Sequence, residues 1–522
     1  MAATPGRSYE DALALLDKLQ SNRMIVSAIS DAKRDMNLDA IPEMLDWTRK
    51  AGYEVEDFSK RGLRCIHVAG TKGKGSVCAM VDNILRQYRR KEGEDAGMGG
   101  ESAERDIGKV GLYTSPHLMT VRERIRIDGS PISETLFARY FFELWDRFTH
   151  AAAAASTTTT TPHVDPASFE TKPGYFRYLT IMALHTFLEE GVKSAVIECG
   201  IGGEYDSTNI LPADAVTVSA ITKLGIDHVG MLGDTVDKIA WHKAGIMKRG
   251  VPAFTVSQVP EAQAVLERRA AEKVVDLQVV SRYAGFDDGS IELGAEGEFQ
   301  RDNASLAIAV ASSHLRSLGL ENVPSPSETR SSIPSEFRLG LKTIKWPGRC
   351  EVIVDNNIEW LIDGAHTLDS IKQTRLWYTS KLKQAFSEER LPTKTMLIFN
   401  QQERDPLPLI DALLFDGLRH LAKGFPSAHV GMFTYAAFCT NTPFKDDVKK
   451  VDVTIRKEEG VLKQQEIAAK LYKTLDRNGL LMVYESVEEA VELARRIAVD
   501  EERVFCAVYG EFTFGGGCDE GA

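Results

Sequence analysis

An apolar, strand-like run from Arg64 to Ala69 passes straight into Gly70-Thr71-Lys72-Gly73-Lys74-Gly75-Ser76, and the segment after it carries apolar residues at helical spacing from Val77 to Tyr88. Strand, glycine loop and helix N-terminus in that order build an anion site. Glycines let backbone N–H groups face phosphates, and the helix dipole adds positive potential. Lys74 is placed to reach the terminal phosphates of a nucleotide, and the Ser76 hydroxyl to help hold Mg²⁺. The strict Walker spacing fails twice, because Val68 stands where its first glycine belongs and Gly75 separates Lys74 from Ser76.

Around this loop, short apolar runs alternate with helical patterns: Ser194 to Cys199, Ala215 to Thr222, then the helical Thr235 to Met247. That alternation predicts an α/β fold, a phosphate-loop domain on a mainly parallel sheet. At 522 residues the chain exceeds what one hydrophobic core supports, which predicts two domains. Composition shifts to Pro and Ser from Pro324 to Ser335, and new strand-like runs follow: Glu351 to Val354, Trp360 to Asp363, Thr395 to Asn400 and Val504 to Tyr509. The expected division is therefore 1–338 for the phosphate-loop domain and 339–522 for a smaller Rossmann-like α/β domain. The second half has no G-x-G-x-x-G after a strand, so it carries no dinucleotide signal. Two stretches read as solvated insertions on surface loops, near 91–107 (Gly- and acid-rich) and near 150–165 (an Ala run passing into a Thr run).

A net charge of -12 lacks the basic excess that nucleic-acid binding requires, so no nucleic-acid partner is expected. No run of about 18 apolar residues predicts a membrane span. The N-terminal stretch has neither an apolar signal core nor an Arg-rich leader, and reads as a capped helix from Ser8; the expected location is cytoplasmic. A mitochondrial pool made from another start codon would leave no mark here. The seven cysteines, Cys65, Cys78, Cys199, Cys350, Cys439, Cys506 and Cys518, are odd in number and mostly set in apolar runs, as reduced core thiols are.

Other strand ends carry chemistry. Ser194 to Ile197 delivers Glu198 ahead of a Gly-rich turn, and a carboxylate at the carboxyl end of a parallel strand can hold Mg²⁺ against a nucleotide. The run ending at Thr222 precedes Asp227-His228, either of which could orient or bind a metal, although a lone His is more often structural. Lys243 lies in Trp241-His242-Lys243-Ala244-Gly245. A helix lysine is ordinarily solvated. One placed in a desolvated pocket is biased toward the neutral amine, which can add CO₂ to become a carbamate, an anionic oxygen donor.

Taken together these segments resemble the folylpolyglutamate synthases, within the wider Mur ligase group, over nearly the whole chain. The residues that carry the resemblance are Gly70 to Ser76, Ser115-Pro116-His117-Leu118, Arg122 to Arg126, Tyr175 to Thr180, Glu198 to Asn209, Asp227-His228, Lys243 to Ile246, Trp346 to Arg349 and Asp363 to His366. Tyr175 to Thr180, and Trp241 ahead of Lys243, are similar to the eukaryotic branch in particular.

The resemblance implies an ATP-dependent ligase that joins L-glutamate to the γ-carboxylate of a folate through an acyl phosphate. It also implies roles. Gly70, Thr71, Lys72, Gly73, Lys74, Gly75 and Ser76 would bind the triphosphate. Ser115, Glu198 and His228 match Mg²⁺ ligands, with one or two ions expected and a monovalent cation compatible with the family. Lys243 matches a carbamylated lysine, Asn303 a residue near the nucleoside, and Arg349 and Asp363 ATP contacts from the second domain. His366 falls where the family places the second domain's catalytic face, near the incoming glutamate. The expected partners are folate and glutamate, and the expected state is a monomer.

One departure stands near the C-terminus. Where the family usually has Thr-Gly-Ser, this chain has Tyr509-Gly510-Glu511, so no glutamate contact carries over from that segment. Dihydrofolate synthase shares the chemistry and most of the motifs, and the Tyr175 to Thr180 run favours the polyglutamate enzyme over it. A cell-wall ligase of the same group would carry a nucleotide-sugar domain before the loop, where this sequence has 69 residues. A nucleotide-operated switch would explain the loop but leave Ser115, Lys243 and Asp363 to His366 without a purpose.

Overall fold

Parallel strands covered on both faces must be apolar throughout, and that requirement lays out the first of two units. The computed structural model describes residues 6–19, 37–89, 107–156, 164–401, 405–421, 433–445, 462–475, 479–501 and 503–510. In the first unit eight strands form one sheet: β1 (Arg64–Ala69), β2 (Lys109–Tyr113), β3 (Ile125–Ile127), β4 (Ser130–Pro131), β5 (Val192–Glu198), β6 (Val216–Ile221), β7 (Ala253–Val256) and β8 (Leu277–Val280). Their order is β4-β3-β2-β5-β1-β6-β7-β8. All run parallel except β3 and β4, which add an antiparallel edge.

Register decides what this sheet presents. Val68 pairs with Glu198, Ala69 with Ile221, and Tyr113 with Ile197. The loops that follow β1, β2, β5 and β6 therefore leave from one carboxyl edge, where open α/β sheets hold their ligands.

Helix Lys74–Arg86 is buried from Ser76 to Leu85. The sheet covers one side of it and helix Ser335–Lys342 packs on another, with Asn83 Nδ2 donating to Gly340 O at 2.5 Å and Tyr88 meeting Phe337 edge-on at 6.0 Å. Helix Ser335–Lys342 spans the boundary expected at residue 338. It lies wholly in the first unit, and the chain passes to the second between Ile344 and Lys345; the short segments His117–Val121 and Ala295–Gln300 also group with the second.

The second unit is a six-stranded sheet of β9 (Glu351–Asp355), β10 (Ile358–Asp363), β11 (Lys394–Asn400), β12 (Tyr435–Cys439), β13 (Leu480–Tyr484) and β14 (Val504–Gly510), ordered β13-β12-β11-β14-β10-β9. Only β9 runs antiparallel. Alternate residues of each strand feed two cores. Leu361, Leu397 and Tyr509 face one, with Trp377 and Tyr378 of helix Leu368–Ser387; Trp360, Ile362, Ile398 and Val508 face the other, with Val491 and Ala494 of helix Val487–Ala498.

One expectation is corrected. The Ala run from Ala151 is not loop: it forms the last turns of the 23-residue helix Glu134–Ser156. Alanine has the highest helix propensity, and extending an established helix adds a hydrogen bond per residue at little cost. The remainder of that insertion, 157–163, and nearly all of the first one, 90–106, lie outside the described residues. The six described cysteines are buried free thiols. Among the described residues no helix is long and apolar enough to cross a membrane.

Candidate active site

The loop after β1 is held open by its glycines. Gly73 has φ +87° and caps helix Lys74–Arg86, and a Cβ there would stand 2.4 Å from Asn303 Oδ1. Two backbone amides, of Thr71 and Lys72, both donate to Lys223 O, at 3.1 and 3.0 Å, and Thr71 Oγ1 donates to Gly225 O at 3.1 Å. The loop is thus stapled to the segment that leaves β6. G73A is expected to destabilise by about 1–2 kcal/mol from the left-handed backbone alone, with the Asn303 collision added. Thermal denaturation of G73A beside G73A/N303A checks this: the double variant should recover part of the loss, and a G73A melting point equal to that of the parent would contradict it.

Glu198, at the end of β5, is 3% exposed, and its Oε2 accepts the Ser115 N–H at 3.0 Å. These two expected metal ligands are therefore brought together. The third, His228, is exposed, has φ +50°, and donates its N–H to Asp227 Oδ1 at 2.9 Å. Asp227 Oδ2 meets Lys72 Nζ at 3.2 Å, tying the phosphate loop to the Asp227-His228 pair by an ion pair. Among the described residues no three His, Cys, Asp or Glu side chains gather into a metal cage. A single carboxylate at the strand end suits Mg²⁺, which keeps several waters and takes its remaining oxygens from phosphate.

Lys243 ends helix Val236–Lys243 and is 2% exposed. Burial, then the nearby Lys74 ammonium, lower its pKa to about 7, against the pull of Cys199, Asp206 and Asp227. The alternative of a solvated helix lysine is thereby set aside.

Behind this edge lies a buried polar chain; Cys199, Asp206 and Thr208 fall in the Glu198 to Asn209 run that carries the family resemblance, but sequence reasoning gave them no role and did not include His67. Asp206 Oδ1 accepts from Thr208 N at 2.9 Å and from Thr208 Oγ1 at 2.5 Å, while its Oδ2 accepts Ile201 N at 3.0 Å. Thr208 Oγ1 also lies 2.8 Å from His67 Nε2, which in turn is 3.1 Å from Cys199 Sγ. Burial drives His67 down to about 3, so this imidazole is neutral. The only signal for the chain was the polar run Asp206 to Asn209 after a glycine pair.

In the second unit, Asp363 ends β10 at 5% exposure, accepting Cys350 N–H at 2.8 Å and Thr374 Oγ1 at 3.2 Å. Burial raises its pKa, and neighbouring Arg349 opposes the rise. Gly364 N donates to Gly348 O at 3.0 Å and Arg349 Nη1 to the same oxygen at 2.9 Å, so the segments that carry Arg349 and Asp363 are joined at Gly348. His366 Nδ1 lies 2.9 Å from Gly364 O; a carbonyl only accepts, so the ring proton is on Nδ1. Asn303, expected near a nucleoside, packs directly behind Gly73 in the first unit. Glu511 lies outside the described residues.

No protein-family model matches the chain. It is 40% identical to a folylpolyglutamate synthase of Neurospora crassa over 99% of this chain and 91% of that one, and 38% identical to one of Saccharomyces cerevisiae over 96% and 84%. In fold it is similar to Mycobacterium tuberculosis folylpolyglutamate synthase complexed with ADP, with TM-score 0.63, 21% identity and 96% of both chains covered. It is also similar to an FPGS–AMPPCP–folate complex, with TM-score 0.54, 24% identity, and 87% of this chain and 94% of that one covered. A phosphate loop, a strand-end carboxylate and a desolvated lysine at one sheet edge, in a chain this close to those relatives over its whole length, identify it: the chain belongs to the folylpolyglutamate synthase family.

Proposed function

We infer that this chain joins L-glutamate to the γ-carboxylate of a folate with ATP, releasing ADP and phosphate. The observation that carries the reading is the convergence of the Gly70–Ser76 loop, Glu198 and Lys243 at one sheet edge in a chain of this family.

A carboxylate is a poor electrophile and oxide an impossible leaving group, so the acid must be activated first. A γ-carboxylate oxygen attacks the terminal phosphorus of ATP, and the bond from that phosphorus to ADP breaks. The glutamate amine then attacks the acyl carbon of the resulting acyl phosphate; the C–N bond forms, phosphate departs and the amine gives up a proton. The Thr71 and Lys72 amides are committed to Lys223 O, so the loop amides from Gly73 onward are the ones that would hold the phosphates, while the Lys74 ammonium balances charge that builds on the transferred group. Mg²⁺, when bound, neutralises phosphate charge as a Lewis acid; Ser115, Glu198 and His228 are the residues that would hold it. Lys243, neutral in an appreciable fraction near pH 7, is suited to add CO₂ as R–NH–COO⁻ with loss of one proton, giving a further oxygen donor for a cation. Arg349, Asp363 and Asn303 are assigned to the nucleotide, and His366, whose Nδ1 donates to Gly364 O, to the glutamate side of the reaction.

The test offers purified protein, MgATP and glutamate with tetrahydrofolate or dihydropteroate in parallel, and weighs the products. Successive additions of a glutamyl unit to tetrahydrofolate are expected. Product from dihydropteroate alone would turn the reading to dihydrofolate synthase, and steady ATP hydrolysis without either acceptor would favour a nucleotide switch.

A further inference from the structure

The loop that leaves β5 and the helix that ends at Lys243 are laced together by a network the chemistry above does not use. Glu204 N–H donates to His242 O at 2.7 Å. Asn209 Nδ2 donates to Glu204 O at 2.9 Å and to Gly245 O at 3.4 Å, and Lys248 Nζ donates to both Asn209 O and Asn209 Oδ1 at 2.9 Å. The Glu204 carboxylate reaches the other way, to helix Pro260–Lys273, where its Oε2 meets Arg269 Nη2 at 2.6 Å and Lys273 Nζ at 3.4 Å. Lys273 Nζ closes the circuit by donating to Gly245 O at 2.7 Å. Arg269 lies over the Trp241 ring at 4.6 Å. The two backbones touch: a Cβ on Gly245 would stand 2.3 Å from Glu204 Cα.

The arrangement has a direction. Helix Pro260–Lys273 packs directly on the helix that ends at Lys243, with Ala262, Val265 and Leu266 in one core with Ile221 of β6 and with Ala240 and Ala244 on either side of Lys243. The same helix supplies two cations that grip one loop carboxylate, and one of them also grips the carbonyl two residues past Lys243, so the loop after β5 and the Lys243 segment are held by one element. Stability alone would be served as well by apolar packing, since a partly buried ion pair contributes little net stability; what it fixes is geometry.

We propose that Glu204, gripped by Arg269 and Lys273, is a positioning residue that holds the loop from Cys199 to Asn209 against the backbone of His242 to Gly245 and so sets the placement of Lys243 relative to Glu198. This rests on the reading of Lys243 as part of the active site.

The test is a double-mutant cycle on the full-length protein with radiolabelled glutamate. E204Q should lower kcat about tenfold while KM for ATP stays within about twofold, and in a K243M background the same change should cost less than about twofold. K273M should mimic E204Q, and K273R, which keeps both the cation and the donor to Gly245 O, should restore most of the rate. A purely structural contact would lower the melting temperature and reduce activity by the same factor in both backgrounds, and that outcome overturns the positioning role. E204Q with the parent's kcat overturns it too. Full activity in K243M alone would overturn the reading of Lys243 on which the proposal stands, a result separable from either of the others.

Discussion

Replacing Lys74 with Met is expected to lower kcat by about a thousandfold, while the melting temperature stays close to that of the parent. Lys74 opens helix Lys74–Arg86 and is only partly buried, so no core contact is lost with its ammonium. On the proposed reaction, what is lost is a positive charge beside phosphate oxygens at the moment the phosphoryl group transfers. Such a preorganised charge is worth several kcal/mol in a site from which water is largely excluded. Arginine should not rescue it, because a planar guanidinium on a longer stem cannot occupy the point position of an ammonium. Lys72, two residues earlier, makes the comparison sharp. Its Nζ is engaged with Asp227 Oδ2 at 3.2 Å, so K72M should loosen the loop and raise KM for ATP without matching the kcat loss of K74M. ADP release measured over a range of ATP concentrations, giving kcat and KM separately, checks both. If K74M retained more than a tenth of the parent rate while K72M fell a thousandfold, the roles of the two lysines would have to be exchanged.

The surroundings that set these two lysines apart were only partly legible in the sequence. The run Arg64 to Ala69 reads as a strand because both its faces must be apolar in the middle of a parallel sheet, and β1 has those bounds. Glu198 reads as a strand-end carboxylate for the same reason, and the register of β1 with β5 brings it beside the loop. Second-unit strands such as Thr395 to Asn400 and Val504 to Tyr509 are likewise visible as short apolar runs, each within a residue of β11 and β14. Legibility ends where partners are far apart in the chain. Nothing near Glu204 announces Arg269 or Lys273, which lie 65 and 69 residues away on the far side of two strands. Nothing near His67 announces Thr208, 141 residues on. The Ala151 run misleads for a different reason: low complexity suggests a solvated insertion, but a helix already wound from Glu134 extends through alanine readily. Lys243 itself stays ambiguous on sequence, since a helix lysine is solvated or buried according to tertiary packing that a local window does not contain.

Burial of Lys243 has a consequence for stability that runs opposite to its consequence for activity. Its folded pKa, about 7, lies below the value near 10.4 expected for an exposed lysine. Between those values the unfolded chain binds a proton that the folded chain does not, so stability rises with pH across that window. Below pH 7 both states are largely protonated and the folded state carries the full cost of burying a charge; at pH 7 itself the folded amine is about half protonated and most of that cost is still present. K243M removes that cost. The variant should therefore melt above the parent in CO₂-free buffer at pH 6.5 to 7, by an amount on the order of 2–4 kcal/mol in stability, and the gain should shrink toward pH 10. Activity should move the other way: K243M is expected to lose about a hundredfold or more in kcat, as when an oxygen donor to a catalytic cation is removed. In the parent, the rate should climb through pH 7 as the amine becomes neutral, and stripping bicarbonate should depress it in a manner that added bicarbonate reverses. K243A supplied with a short carboxylate such as acetate should regain part of the rate, the carboxylate standing in for the carbamate oxygens. A K243M protein that is less stable than the parent at pH 7 would mean that the ammonium is held by favourable partners and not merely desolvated. A parent rate indifferent to bicarbonate would leave Lys243 acting as the free amine. A residue that weakens the fold at neutral pH and is proposed to be needed for the rate is where stability and activity are expected to conflict, and the two signs of the K243M experiment measure that conflict directly.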